Sequence, residues 1–313
     1  MKKIGVSGTF IRDEIIPLHG KPVGAVGGLY HPLACLSLLA GEASTILPFA
    51  RLGKDFESAV RTALGSFQNI AFSHVIGDDK PNTCVRLEYF TPNDRDEITS
   101  ERMAPLDVQE CAGAADCDAI IVNMISGIDI TLAALKAMHQ FKTNLLYLDF
   151  HSLGYALDEN GKRYGQPVPN WRCWLEHCDI VQMNENEALY LMQLLQPNPA
   201  SFEAFIVQIM EMTHMRGMHI TLGPEGSISG FRDGGKVTIK EIAFPPLEKT
   251  SVDIIGCGDV FGAGFVWHFL NKGDFFRATR YANTVASRNS LFAGSITKRK
   301  FEEFIKPYAA LEN

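Results

Sequence analysis

The stretch "DIIGCGDVFGAGF" (residues 253–265) sets four glycines and a cysteine around one carboxylate, Asp259, and then runs into an apolar helix-forming segment. The residues that follow, "VFGAGFVWHFLNKG" (260–273), carry apolar side chains at helical spacing and stop at Gly273, so a helix is predicted to begin at residues 256–258. Such a terminus presents unpaired backbone N–H groups and the positive end of the helix dipole, which together hold an anion without any basic side chain. A carboxylate in the first turn can then take a proton from an incoming hydroxyl while the amides hold a transferring phosphoryl group. The same residues also fit a plainer role, with Asp259 as a helix-start acid and Gly262 and Gly264 admitting a close helix neighbour. A dinucleotide fingerprint is excluded, because no GxGxxG follows the first strand, and no GxxxxGK[ST] phosphate loop occurs.

Composition narrows the partner. The net charge is −7 and the longest basic run is the short "TKRK" at 297–300, which argues against nucleic acid and anionic membranes and leaves a small molecule. No apolar run approaches the about 18 residues of a membrane span. Seven cysteines (Cys35, Cys84, Cys111, Cys117, Cys173, Cys178 and Cys257), with no CxxC pair, suggest neither a disulfide framework nor a zinc knuckle. Reduced thiols fit a cytoplasmic protein.

Along the chain, "KKIGVSGTF" reads as a buried first strand, and "LACLSLLAGEA" followed by "STILPFARLGKD" continues as helix and strand. Residues 72–105 break this pattern: they are polar, alternating and punctuated by "GDDKPN" and "TPND", which predicts antiparallel strands and turns. Together with residues 13–26 they are expected to form a small β-sheet lid outside the main fold. From "CDAIIVNMI" onward strands and helices alternate again through "TLAALKAMHQF", "TNLLYLDF", "CDIVQMN", "ENEALYLMQLL" and "HITLGPEG". Apolar strands separated by amphipathic helices imply one α/β unit over residues 1–313, a mostly parallel sheet covered on both faces, with ligands beyond the carboxyl ends of the strands. Residues 154–178 give little to read.

The segment D-I-I-G-C-G-D with F-x-A-G resembles the C-terminal signature of the ribokinase, or PfkB, family of sugar and nucleoside kinases. Further stretches match in the family's order: "GTFIRD" ending at Asp13, the pair Gly27 and Gly28 opening a helix, "NENE" at 184–187, "TLGPEG" at 221–226, and "YANTVAS" containing Asn283. The resemblance implies a ribokinase-like three-layer α/β/α fold and ATP-dependent transfer of a phosphoryl group to a hydroxymethyl group of a small sugar or sugar-like polyol. Asp259 would be the base, and the Gly256, Cys257 and Gly258 amides the anion hole. Glu187, with Asn184, would hold the water shell of Mg²⁺ and the phosphates; Thr221, Gly223, Gly226 and Asn283 would line the ATP side. Asp13, Gly27, Gly28 and His31 would grip the sugar, and Asp253 would belong to a monovalent-cation site. The small sheet often serves as a homodimer interface in this family.

Asn184 and Glu187 also fit a helix capping box, and Tyr30 and His31 fit local packing. Three departures stand out. Ile254 and Ile255 replace small polar residues beside Asp253, and an aliphatic side chain cannot ligate potassium. Pro32 stands where sugar sites of the family carry an Asn, and Leu153, in "LDFHSL", where many relatives carry a phosphate-pairing Arg. Arg12 and Arg86 remain as anion contacts or as solvated strand residues. The alternatives to a sugar kinase are an adenosine-like nucleoside kinase and a weakly catalytic sugar or nucleotide sensor on the same fold.

Overall fold

A computed structural model describes residues 1–90, 95–141, 145–168, 170–247 and 250–311; the "TPND" turn expected at 91–94 lies outside them. The chain begins β1 (Lys2–Ser7), β2 (Phe10–Ile16), β3 (Val23–Gly28), α1 (Tyr30–Ala40), β4 (Ser44–Gly53), α2 (Lys54–Leu64), β5 (His74–Asp78), β6 (Cys84–Tyr89) and β7 (Arg95–Thr99). It continues β8 (Ala119–Asn123), α3 (Leu132–Gln140), β9 (Leu146–Asp149), β10 (Tyr155–Leu157), β11 (Arg163–Gly165), α4 (Trp171–Glu176), β12 (Ile180–Asn184), α5 (Glu185–Met192) and α6 (Phe202–Met212). Then come β13 (Gly217–Thr221), β14 (Ser227–Asp233), β15 (Lys236–Ile242), α7 (Cys257–Lys272) and α8 (Phe275–Asn289).

Nine strands form one sheet in the order β15-β14-β13-β12-β9-β8-β1-β4-β5. From β13 to β5 every pairing is parallel, and β14 and β15 add an antiparallel hairpin at one edge. Because side chains alternate across a strand, the two faces feed two separate cores. Ile121, Tyr147 and Ile180 pack with α1, α2, α7 and α8, through residues such as Leu33, Phe56, Phe265 and Tyr281. Ile120, Val122, Leu148 and Val181 pack with α3 to α6, through Leu135, Trp174, Leu191 and Phe205. Burial on both faces explains why these strands read as unbroken apolar runs.

The small sheet has the order β3-β2-β6-β7 and so gathers the two expected stretches, with two corrections. Within residues 72–105, β5 belongs to the main sheet: it pairs with β4 from Phe49↔His74 to Gly53↔Asp78, and the His74 ring stacks on Phe49 at 4.5 Å. As a half-covered edge strand it lacks the apolar run that marks the central ones. Second, β2 and β6 pair in parallel, not antiparallel. Each runs on from the carboxyl end of a parallel strand, β1 and β5, so the two leave the main sheet in the same direction. The hairpin β14–β15 was not read from the sequence, although "DGG" at 233–235 supplies its turn, with φ of 54° and 86° at Gly234 and Gly235.

Phe265 is fully buried and anchors α7 to the sheet, its ring 4.4 Å from that of His219, 5.3 Å from Phe275 and 5.7 Å from Tyr147. Replacing Phe265 by Ala is expected to lower the unfolding free energy by about 3–5 kcal/mol, readable as a drop in the urea midpoint.

Candidate active site

The α7 N-terminus depends on one backbone conformation. Gly256, its N-cap, has φ 75° and ψ 1°, and a Cβ there would sit 2.7 Å from His31 Cγ, so only glycine fits on both counts. The turn before it is clasped by Asp253, whose Oδ1 accepts from Ile255 N (2.9 Å) and whose Oδ2 accepts from Gly294 N (2.9 Å). Of the three amides expected in the anion hole, that of Cys257 is already engaged, donating to Ile254 O at 3.2 Å. This is a correction: the tight turn that sets up the left-handed Gly256 consumes the amide after it. The amides of Gly256 and Gly258 have no partner among the described residues. The Cys257 thiol is held neutral, pushed up to about 11 by burial.

Asp259 follows in the first turn, 9% exposed, and burial pushes its carboxyl up to about 7. Asn123 Nδ2 donates to its Oδ1 at 2.5 Å, which opposes that shift by favouring the charged form. Three partners around it were missed from sequence. Asn123 ends β8, Asp149 ends β9, and Gln182 lies near the end of β12. Gln182 donates to Gly258 O (3.0 Å) and, at 3.5 Å, to Asp149 Oδ2, while its own Oε1 accepts from Tyr147 OH at 2.5 Å. The network fixes the first turn of α7 against the sheet. Gly262 lets α7 approach it, since a Cβ there would meet Gln182 Oε1 at 3.1 Å and Tyr147 at 3.2 Å. Asp149 is held well above the carboxylate range, first by burial and then by the charges of Asp259 and Glu187.

Asn184 and Glu187 form a complete capping box at the start of α5: Asn184 Oδ1 accepts from Glu187 N (2.9 Å), and Glu187 accepts from Asn184 N (2.9 Å) and Asn184 Nδ2 (2.6 Å). Burial raises Glu187 to about 8, opposed by the Asn184 hydrogen bond and by the charge of Arg163 in β11. Glu187 thus closes the helix cap while its charge reaches Asp149. No group of three or more His, Cys, Asp or Glu among the described residues is arranged to hold a metal ion directly.

Thr221 ends β13 and begins a short loop in which Gly223 and Gly226 both have positive φ, 57° and 100°. Space around Gly223 is open, whereas a Cβ on Gly226 would strike Ile242 O at 2.2 Å. Asn283 requires a correction. Its side chain is fully buried and its Nδ2 donates to Ile242 O (2.7 Å) and Ser227 Oγ (3.2 Å), so it braces the β14–β15 hairpin from inside instead of facing a nucleotide.

On the small-sheet side, Asp13 (β2) lies over β3: a Cβ on Gly27 would be 1.9 Å from Asp13 Oδ2. Gly28, at φ 59°, passes Thr9 O too closely for a side chain. His31 is buried against Gly256, and burial lowers its imidazole to about 4, with Asp253 opposing; it is a neutral wall of the loop. Arg12 is paired with Asp55 at 2.5 Å and Arg86 with Glu88 at 3.5 Å, which gives both a place on the strand surface. The structure therefore brings Asp259, Asp149, Glu187, Thr221 and the Gly256 turn to the carboxyl ends of the parallel strands, with Asp13 and Gly27 on the sheet beside them.

The folded state holds the Asp259 proton more tightly than the unfolded chain does, so this group's contribution to stability falls as pH rises from 3.8 to about 7. Asp259→Asn should therefore melt higher than the parent at pH 8, by about 2–4 °C or more, and by clearly less at pH 5, where only part of the loss has occurred. Differential scanning at the two pH values checks both halves.

None of the curated proteins matches the chain. Among solved structures, a pyrophosphate-dependent kinase in the ribokinase family superposes with a TM-score of 0.75 at 17% identity, over 96% of this chain and 99% of that one. Ribokinase from Thermotoga maritima gives 0.76 at 13% identity, over 97% and 99%. A double mutant of fructokinase from Vibrio cholerae O395, solved with fructose, ADP and a potassium ion, gives 0.75 at 16% identity, over 97% and 98%. At such identities these likenesses speak for the fold. The model of the pfkB family of carbohydrate kinases matches residues 49–298, most of the chain. With the fold and that match together, the chain belongs to the pfkB family and is a phosphotransferase acting on a sugar hydroxyl.

Proposed function

We propose that this protein transfers the γ-phosphoryl group of ATP to a hydroxymethyl group of a small sugar or sugar-like polyol, with Asp259 as the general base. The observation that carries the reading is a buried carboxylate poised near neutrality in the first turn of a helix whose Gly256 and Gly258 amides lack partners. A base with a pKa near the working pH takes the hydroxyl proton most effectively. As the sugar oxygen bonds to phosphorus, the bond from phosphorus to the bridging oxygen of ADP breaks, and the proton passes to Asp259 Oδ. The two amides and the dipole of α7 receive the charge on the transferring group. Asn123 Oδ1, buried beside the base and unpartnered, offers an acceptor to a substrate hydroxyl.

Magnesium suits the acids present. Burial opposes ionisation of Asp149 and Glu187, and a divalent cation would favour the charged form of both. With no group of three or more His, Cys, Asp or Glu arranged for direct ligation among the described residues, they would hold it through its waters, and the ion would neutralise the donor phosphates. Asp13, with Gly27 beneath it, would orient the sugar, and the small sheet would close over it to exclude water. With Asn283 turned inward, a pyrophosphate donor, as in the first of the similar structures, is the second reading.

The test is a product-release screen of sugars, sugar acids, polyols, sugar phosphates and nucleosides, each with ATP and with pyrophosphate. Transfer to a free sugar or polyol is expected, and Asp259→Asn should lose about 10²- to 10⁴-fold in kcat. For the parent, kcat/KM should rise with pH through about 7. Asn123→Ala removes a hydrogen bond that favours the charged carboxylate, so its rising limb should move to higher pH. Asp259→Asn turning over at the parental rate contradicts the assignment of the base.

A further inference from the structure

Potassium is present in one of the similar structures, yet the residues here do not fit a free cation. Both carboxylate oxygens of Asp253 are engaged by backbone N–H groups, those of Ile255 and Gly294. Ile254, 73% exposed, and Ile255 offer only hydrocarbon side chains. The carbonyls that flank Gly294 are occupied as well: Lys300 Nζ donates to Ala293 O at 2.7 Å and to Ser295 O at 2.9 Å. Its ammonium also stands 5.1 Å from the centre of the Phe292 ring and feels the charge of Asp253. Thr297 Oγ1 accepts from Lys300 N at 3.3 Å, so the lysine leaves the chain from a capped turn that aims it back at the loop.

An ammonium group carries the single charge of a potassium ion and satisfies the same kind of carbonyl oxygen. We infer that Lys300 takes the place of a free monovalent cation behind the α7 N-terminus, and that this enzyme works without potassium. Lys300 is a positioning residue. It ties down the 293–295 loop, whose Gly294 amide holds Asp253, and Asp253 in turn shapes the turn that sets Gly256 against His31. The loop is also joined to the substrate side, through Tyr30 OH to Ile296 O (2.8 Å) and Ser295 Oγ to Val26 O (3.5 Å).

The activity arm of the test rests on the kinase reading; the melting arm does not. In buffers of equal ionic strength made with tetramethylammonium chloride or potassium chloride, the parent is expected to show the same kcat and the same melting temperature. Lys300→Met should lose about tenfold in kcat and melt about 2–4 °C lower, with little change in KM for the sugar. Lys300→Ala leaves room at the carbonyls, and potassium or ammonium chloride, but not tetramethylammonium chloride, should restore part of both its kcat and its melting temperature. A parent enzyme that potassium activates or stabilises overturns the inference. So do Lys300 variants that behave like the parent, or a Lys300→Ala deficit that neither ion reverses. If no sugar is phosphorylated at all, the kinase reading has failed, while the melting temperatures still decide the role of Lys300.

Discussion

The arrangement depends on bringing a carboxylate, largely out of water, to the start of α7. Asp259 buried there is costly to ionise, and the cost is limited by one strong hydrogen bond from Asn123 and by the positive end of the helix. Each needs α7 to approach the sheet closely. Gly262 allows that contact with Tyr147 and Gln182, Gly264 admits α8 with its Cβ position 3.4 Å from Val285, and Phe265 locks the helix into the aromatic cluster around His219. The plain packing role of these two glycines and the role proposed for Asp259 therefore rest on one constraint.

A second constraint holds the helix start itself. The left-handed Gly256 requires the turn 254–257, which in turn requires the Asp253 clasp to Gly294. That long-range tie makes a loop near the end of the chain part of the site. Such ties favour pre-organisation: under the proposed function, the amides would stand ready before an anion arrives, so little reorganisation would be needed as charge develops on it.

The alternating strands and helices were legible because a parallel sheet buried on both faces leaves long apolar runs, and α7 was legible down to its Gly273 stop. The half-covered edge strand β5 was not, because its residues look like those of an exposed sheet. Around the start of α7, Asp259, Asn184, Glu187 and Thr221 stand in short motifs and are legible as candidates, and the structure brings them to the carboxyl ends of the strands. Asn123, Asp149 and Gln182 sit alone on separate strands, and only the sheet order makes them neighbours; a polar residue closing an apolar strand was the available signal. Backbone accounting separated the rest. No motif reveals that the Cys257 amide is consumed by its own turn, that Asn283 points inward, or that Lys300, in the short basic run 297–300, folds back onto two carbonyls.

The central claim is that the start of α7 joins base and anion site in a single turn. A crystal structure with ADP, magnesium, aluminium fluoride and the best acceptor sugar tests it most directly. The account predicts fluoride oxygen mimics on the Gly256 and Gly258 amides and the acceptor hydroxyl within about 2.6–3.2 Å of Asp259. An acceptor hydroxyl held by another group, with Asp259 still bonded only to Asn123, would contradict it.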